Sequence, residues 1–119
     1  MTSACIALLA ALPALVTASE AVDGDNLRLA GCNARIHGID APETYGTPEP
    51  GGREATAHLW SLVRGQPLRV RLVDVDRYGR PVVVAILPNG DDVACAQVAA
   101  GHAVDVPRYS GGAYEGCGR

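Results

Sequence analysis

Three short segments in which apolar and polar residues partly alternate follow residue 18. They cover residues 19–22, 26–30 and 34–39, and the turn signals Asp23-Gly24-Asp25 and Gly31-Cys32-Asn33 separate them. Alternation indicates a strand with one buried face, and clusters of Gly, Asp and Asn indicate tight turns. This part of the chain therefore predicts a three-stranded meander.

One amphipathic helix is predicted after the meander. Residues 44–52 form a loop rich in Pro and Gly, and residues 53–64 then carry apolar side chains at helical spacing, namely Ala55, Leu59, Leu62 and Val63. Gly65 follows as a stop signal, because glycine readily takes the left-handed conformation that ends a helix. One face of this helix is therefore apolar.

Two further strands and a short helix complete the pattern. Apolar and polar residues alternate over residues 67–75, which indicates a strand with one buried and one solvent-exposed face. The apolar run over residues 81–87 indicates a central strand. Asp92 can cap a helix over residues 93–100. Five strands with a helix after the third and a short helix after the fifth predict a mainly β, α+β fold, namely a five-stranded OB-type barrel.

Residues 1–18 carry no charge and contain a short run of Ala and Leu that ends in the small-residue pattern Val16-Thr17-Ala18. This pattern predicts a signal peptide, so a secreted or periplasmic protein is expected, with a cytoplasmic one as the alternative. The other interpretation of the run is a buried first strand or apolar helix of the domain. It is too short to span a membrane, and no stable membrane association is expected.

The four cysteines, Cys5, Cys32, Cys95 and Cys117, could form disulfides in an oxidising compartment. Cleavage after Ala18 would leave three of them, which is an odd number, so the sequence assigns no pairing. Zinc is poorly supported, because cysteines and histidines lack the close paired spacing of structural zinc sites. The three histidines are interpreted as isolated residues.

Composition narrows the class of protein. The chain has 119 residues, which fits one domain, and a monomer is expected. Ten basic residues, all arginine, against 13 acidic ones give a net charge of −3. This balance excludes a broadly cationic coat for nucleic acid, but it does not exclude a local phosphodiester site that includes a bound cation.

Carboxylates in two of the turns offer the parts of a metal site. Asp25 and Asp40 provide hard oxygen ligands, and the carbonyl of Ala41 could add a neutral one, a mixture that suits Ca²⁺. Glu43 lies three residues after Asp40 and can act as general base on a water molecule beside the ion.

Two arginines complete a set that could cleave a phosphodiester. Arg35 and Arg80 come from different predicted strands or their ends. The planar guanidinium group binds phosphate oxygens in pairs and can stabilise the charge that grows as water attacks phosphorus. Taken singly, each of these motifs is also explained as an ordinary turn or hairpin tip.

Residues 22–109 resemble the staphylococcal nuclease family through VDGDNLRLAG, ARIHGIDAPE, the helix before Gly65, DRYGR and the stretch 98–109. The resemblance implies an OB-type barrel and Ca²⁺-dependent hydrolysis of DNA and RNA that leaves 3′-phosphate ends. It implies metal ligation by Asp25, Asp40 and the Ala41 carbonyl, catalysis by Arg35, Glu43 and Arg80, and substrate contacts by Tyr78 and Tyr109.

The resemblance also sets the expected domain limits. The nuclease-like domain covers residues 19–109 and is followed by a Gly-rich tail, residues 110–119, where the family's C-terminal helix is missing. Interior glycines disfavour a helix by about 1 kcal/mol each, so the tail is a poor helix. Pro107 stands where an aromatic residue would help to hold a base, so base stacking depends on Tyr109, which could equally be a structural tyrosine.

Two other functions stay open beside the nuclease. A non-catalytic OB-fold module that binds nucleic acid or protein would predict loss of Glu43, Arg35 or Arg80, and all three are present. An accessory role in exopolysaccharide biosynthesis is the other alternative, because some bacterial members of the family carry such labels. No residue in the motifs speaks for or against a sugar polymer as substrate.

Overall fold

The computed structural model describes residues 4–11, 14–44 and 46–118. It contains eight strands and four helices in these ranges. In chain order they are α1 (Ala4–Ala10), β1 (Ala14–Val16), β2 (Glu20–Asp23), β3 (Asn26–Leu29), β4 (Cys32–Ile36), β5 (Ile39–Asp40), α2 (Gly52–Val63), β6 (Leu68–Val75), β7 (Pro81–Ile86), α3 (Val93–Ala99), β8 (Val104–Asp105) and α4 (Pro107–Ser110).

Six strands form one mixed sheet in the order β1-β6-β7-β4-β3-β2. The expected meander is present as β2, β3 and β4, which pair in antiparallel fashion. Strands β4 and β7 pair in parallel, and β6 pairs with β7 in antiparallel fashion. The short strands β5 and β8 form a second sheet beside it. The predicted mainly β, α+β fold is confirmed, and the structure shows its core as this twisted sheet with helices packed on it.

The five expected strands correspond to β2, β3, β4, β6 and β7, and the two expected helices to α2 and α3. The elements that the pattern did not predict are short. Strand β5 begins at the last residue of the third predicted strand, residues 34–39, and is separated from β4 because Gly38 takes a φ of 82°. A left-handed residue breaks the ladder there and redirects the chain into the second sheet.

Helix α2 covers the sheet with the predicted apolar face. Ala55, Leu59 and Val63 are fully buried, and the helix packs against β2 and α3. Leu27, Leu29 and Val83 of the sheet are also fully buried and belong to the same hydrophobic cluster. The core therefore lies between α2 and the sheet.

The described part of the predicted leader is packed onto this core. Helix α1 buries Leu9, and β1 pairs with β6, which is the form that the alternative interpretation predicts. Residues 1–3 and 12–13 of the leader and residue 119 of the tail lie outside the described residues. The domain limits after residues 18 and 109 stay predictions.

All four cysteines are paired in the structure. Cys5 is bonded to Cys32, which joins α1 to β4 across a Cα–Cα distance of 5.7 Å. Cys95 is bonded to Cys117, which joins α3 to the tail across 5.4 Å. Within the described ranges, no helix is both long enough and apolar enough to cross a membrane.

No long helix is present over the described residues 107–118. Instead, Tyr114 anchors this part of the chain to the rest of the domain. The four-residue helix α4 is followed by consecutive turns, and Tyr114 is 7% exposed. Its hydroxyl donates to Asp92 Oδ2 at 2.9 Å. Burial raises the pKa of Tyr114, and the nearby Asp92 carboxylate raises it further. A Cβ at Gly38 would lie 2.9 Å from the Tyr114 ring, so the tail packs directly on the loop before β5.

Gln97 is the one fully buried polar side chain among the described residues. Its Nε2 donates to the carbonyl of Gly24 at 2.7 Å and to the carbonyl of Ala55 at 3.0 Å. Because the amide nitrogen serves both carbonyls, Oε1 is the acceptor for Nδ1 of His58. Gln97 thus ties α3 to the β2–β3 turn and to α2.

We expect Gln97→Leu to lower the free energy of unfolding by about 2–4 kcal/mol, because two buried carbonyls lose their donor at nearly unchanged side-chain volume. Urea denaturation followed by circular dichroism measures the change. Gln66→Leu is the matched control, because Gln66 is exposed. Equal stability losses in the two variants would show that the Gln97 amide does not support the turn.

Candidate functional site

A cleft of about 740 Å³ opens beside strands β5, β6 and β7. Of the eight site residues that the sequence predicts, five line it: Arg35, Asp40, Tyr78, Arg80 and Tyr109. They come from β4, β5, the β6–β7 turn and α4, which the sheet and the tail bring to one place. Asp25, Ala41 and Glu43 are not among the described residues that line the cleft.

Asp25 lies in the turn between β2 and β3 and is only 6% exposed. Its Oδ2 accepts the backbone N–H of Ala41 at 3.0 Å and lies 3.3 Å from Arg35 Nη1. Its carbonyl accepts the N–H of Ile36 at 2.8 Å. Burial raises the pKa of Asp25, and the Arg35 guanidinium and the Ala41 amide partly oppose this effect. The buried carboxylate therefore joins the turn to β4 and to the residue after β5.

Arg35 lies between the two carboxylates of the predicted metal site. Its guanidinium is 3.3 Å from Asp25 and 3.9 Å from Asp40, and it donates to the carbonyl of Ile39 at 3.1 Å. The side chain of Asp40 is 65% exposed, in contrast to that of Asp25. The single guanidinium group of Arg35 thus interacts with a buried and an exposed carboxylate and also lines the cleft.

Arg80 is positioned by Asp76, a residue that the sequence analysis did not assign to the site. Arg80 Nε donates to Asp76 Oδ2 at 2.7 Å, and Asp76 Oδ1 accepts the N–H groups of Tyr78 and Arg80, each at 2.9 Å. Partial desolvation raises the pKa of Asp76, but these donors outweigh it and hold the pKa below its usual value. The Asp at the start of the DRYGR turn was the available signal, since Asp side chains often accept backbone N–H groups in turns.

Two further arginines enlarge the positive charge of the cleft. Arg77 lies 4.9 Å from the ring centre of Tyr78, and Arg108 lies 4.8 Å from that of Tyr109. Both arginines line the cleft. Tyr78 and Tyr109 are 69% and 60% exposed, so that their rings are accessible to a ligand. Contacts between arginine and an aromatic ring orient both groups, which here face the same space.

Hydrogen bonds hold the backbone of Glu43 in place, whereas its side chain is exposed to solvent. Its N–H donates to Glu49 Oε1 at 3.1 Å, and its carbonyl accepts the N–H of Glu49 at 2.9 Å. The next residue, Thr44, donates its N–H to Asp23 Oδ1 at 2.8 Å. A Cβ at Gly52 would lie 2.2 Å from the carbonyl oxygen of Glu43, so α2 begins in direct contact with this loop.

The predicted metal ligands have the chemistry that suits a hard cation. Asp25, Asp40 and the Ala41 carbonyl offer only hard oxygen atoms, which is the ligand type that Ca²⁺ takes. Among the residues that the structure describes, no three His, Cys, Asp or Glu side chains are grouped closely enough to hold a metal ion. Ca²⁺ takes about six to eight oxygens, so water and substrate would supply most of them. The type of ligand therefore suits Ca²⁺, but the chain supplies only some of the ligands that the ion takes.

Comparisons with known proteins agree with these motifs. The family model described as staphylococcal nuclease homologue matches residues 33–115. The chain is 32% identical over 108 residues to the protein named "Succinoglycan biosynthesis protein ExoI" of Rhizobium meliloti (strain 1021), which covers 84% of this chain and 56% of that protein. It is 48% identical over 48 residues to "Probable staphylococcal-like nuclease CAN1" of Oryza sativa subsp. japonica, which covers 40% and 14%. The chain thus spans less than two thirds of either relative.

We expect Gly52→Ala to lower the free energy of unfolding by about 1–3 kcal/mol, because the added methyl group displaces the Glu43 backbone. Thermal denaturation and the NMR shift of the Glu43 amide measure stability and position together. Gly116→Ala is the control, because a Cβ there meets no atom within 4 Å. An unchanged Glu43 amide shift in Gly52→Ala would contradict the contact.

Proposed function

The chain belongs to the staphylococcal nuclease homologue family, and on this premise we propose that it is a calcium-dependent nuclease that hydrolyses phosphodiester bonds of DNA, RNA or both. The observation that carries the proposal is the convergence of Arg35 and Arg80 on one cleft, which Asp40 of strand β5 also lines. Two guanidinium groups that face the same space suit the paired oxygens of a phosphate.

In the proposed mechanism, Arg35 and Arg80 bind the non-bridging oxygens of the scissile phosphate. Both are pre-oriented, Arg80 by Asp76 and Arg35 by Asp25. Negative charge increases on these oxygens as water attacks phosphorus, so fixed donors lower the barrier more than mobile ones would. The carboxylate partners also keep both arginines from extending into solvent.

Glu43 serves as general base in this proposal. It takes a proton from the attacking water, whose oxygen forms a new bond to phosphorus while the bond to the 5′-oxygen breaks. The leaving 5′-oxygen gains a proton from solvent, and the product keeps a 3′-phosphate. The side chain of Glu43 is exposed, and hydrogen bonds with Glu49 anchor its backbone.

Asp25, Asp40 and the Ala41 carbonyl would hold Ca²⁺, which when bound polarises a phosphoryl oxygen and lowers the pKa of water. Tyr78 contacts a terminal phosphate, and Tyr109 stacks on a base, in keeping with the exposure of both rings. The Cys95–Cys117 disulfide, which does not involve the predicted leader, supports a secreted or periplasmic location, because such bonds persist in oxidising compartments.

A second candidate is a role in exopolysaccharide production. Its support is the name of the Rhizobium meliloti relative, whose match covers 84% of this chain. The two candidates separate by substrate, because a nuclease cleaves phosphodiester bonds of nucleic acid, whereas a role in exopolysaccharide production requires no such cleavage.

We expect the purified chain to cleave single-stranded DNA with Ca²⁺, and a chelator to abolish the cleavage. Glu43→Gln should reduce the rate about 100-fold or more, because the base is lost while the side-chain size is kept. Release of acid-soluble nucleotides measures the rate. Glu115→Gln, an exposed site in the tail, serves as control and should cleave normally. A folded wild-type chain without Ca²⁺-dependent cleavage of DNA or RNA would refute the nuclease proposal.

Arg80→Lys tests the role of the planar guanidinium group of Arg80, which can donate two parallel hydrogen bonds. We expect a loss of about 100-fold in kcat, because an ammonium group cannot donate in parallel to two phosphate oxygens and keep the Asp76 contact. Arg64→Lys is the matched control, because Arg64 is exposed at the end of α2. Near-normal turnover in Arg80→Lys would remove Arg80 from the catalytic set.

A further inference from the structure

A second recess, of about 340 Å³, lies next to the loop that carries Glu43. It is formed by the start of β2, by Thr44 and by one face of α2. Arg53, Thr56, Ala57 and Trp60 line it, and their spacing of three, four and seven residues places them on a single side of the helix. This volume is at the lower end of small-ligand pockets, so we call the recess the Trp60 groove.

The two ends of the Trp60 groove differ in chemistry. Trp60 is half-buried at one end and is the single tryptophan of the chain. Arg53 is exposed at the other end, about 10 Å away along the helix axis given the helical rise per residue. Ala57 lies between them and leaves a recess because its side chain is small. An aromatic ring and a guanidinium group therefore flank a gap.

Arg53 has an electrostatically unfavourable position. It is the second residue of α2, where the positive end of the helix dipole disfavours a cation. Among the described residues, no ion pair involves Arg53, whereas Glu20 on the facing strand is paired with Arg28 at 3.5 Å. The groove thus presents a cation without a carboxylate partner, which is available to an anionic ligand.

The donor and the acceptor can be assigned for each hydrogen bond of the two threonine hydroxyls in the groove. Thr56 Oγ1 donates to the carbonyl of Gly52 at 2.9 Å, so its proton is used. The contact of 2.8 Å between the hydroxyls of Thr44 and Thr56 therefore has Thr44 as donor. The lone pairs of Thr44 Oγ1 are left as acceptors, which can receive N–H groups of a ligand.

From these contacts we infer that the Trp60 groove is a second nucleotide subsite, in which a base of single-stranded nucleic acid stacks on Trp60 and a phosphate binds Arg53. The inference rests on the proposed nuclease function, because Thr44, which lines the groove, directly follows Glu43, the proposed general base. Stacking on an aromatic ring and contact with an arginine are the two interactions by which proteins hold single strands without reading sequence.

The single tryptophan makes the inference directly testable. A single-stranded DNA oligonucleotide is titrated into the wild-type full chain with a chelator present, so that no Ca²⁺-dependent cleavage occurs. Trp60 fluorescence reports the groove, and the anisotropy of a dye on the oligonucleotide reports total binding. We expect saturable quenching with a midpoint that coincides with the anisotropy curve.

Two variants separate the groove from the cleft. Arg53→Gln should weaken binding about three- to tenfold, because one phosphate contact is lost. Ala57→Leu should fill the recess and abolish the quenching. Arg64→Gln, at the other end of the same helix, is the matched control for charge and should bind as the wild type does. Circular dichroism shows that each variant is folded.

Binding without quenching of Trp60, or quenching that survives both Arg53→Gln and Ala57→Leu, would overturn the subsite. So would quenching by a neutral oligosaccharide but not by the oligonucleotide. Cleavage is measured separately, with wild-type chain and Ca²⁺. Absent cleavage with intact quenching would refute the nuclease while the nucleic-acid subsite stands, and normal cleavage without quenching would refute the subsite alone.

Discussion

The buried carboxylate of Asp25 is the interaction on which the candidate site depends. A carboxylate that is 6% exposed needs donors, and the structure supplies them from Arg35 and from the backbone of Ala41. These two donors belong to β4 and to the residue after β5, so their contacts fix where Arg35 and Asp40 lie. Removing either donor would leave a buried anion insufficiently compensated, which is costly. The same contacts that stabilise the turn therefore assemble the cleft.

Close backbone contacts and one buried amide hold this arrangement in place. A Cβ at Gly24 would lie 2.6 Å from that of Ala55 and 2.8 Å from that of Ala41, so the turn packs directly against α2. The Gln97 amide binds the carbonyl of the same glycine. On the opposite side, Tyr114 packs against Gly38, two residues before Asp40, and the Cys95–Cys117 disulfide links that tail to α3. Disulfide-linked turns thus occupy the position of the helix that the sequence predicts to be missing, in agreement with the poor helix propensity of the Gly-rich tail.

The sequence predicts the elements with strong periodicity and the polar motifs in their turns. The helix near residues 53–64 and the strand near residues 67–75 are seen within one residue of their expected limits. The two-residue strands β5 and β8 were not predictable, because pairing between residues about 65 positions apart leaves no local period. The Gln97–Gly24 bond spans 73 positions, and nothing in the pattern indicates it. The pairing of His58 with Gln97 spans 39 positions and was missed for the same reason, so the interpretation of His58 as an isolated residue is wrong. Asp76 is a different case, because its partners lie within four residues and its place at the start of the DRYGR turn was a local signal.

The central claim is that Arg35 and Arg80 cleave phosphodiesters at the bond to the 5′-oxygen, together with a cation site for which the chain supplies only some of the ligands. The most direct measurement is end-group analysis of a single-stranded DNA oligonucleotide of defined sequence after incubation with the chain and Ca²⁺. The account predicts fragments with 3′-phosphate and 5′-hydroxyl ends, found by mass spectrometry and absent when a chelator is present. Intact oligonucleotide, or fragments that carry 5′-phosphate ends, would contradict it.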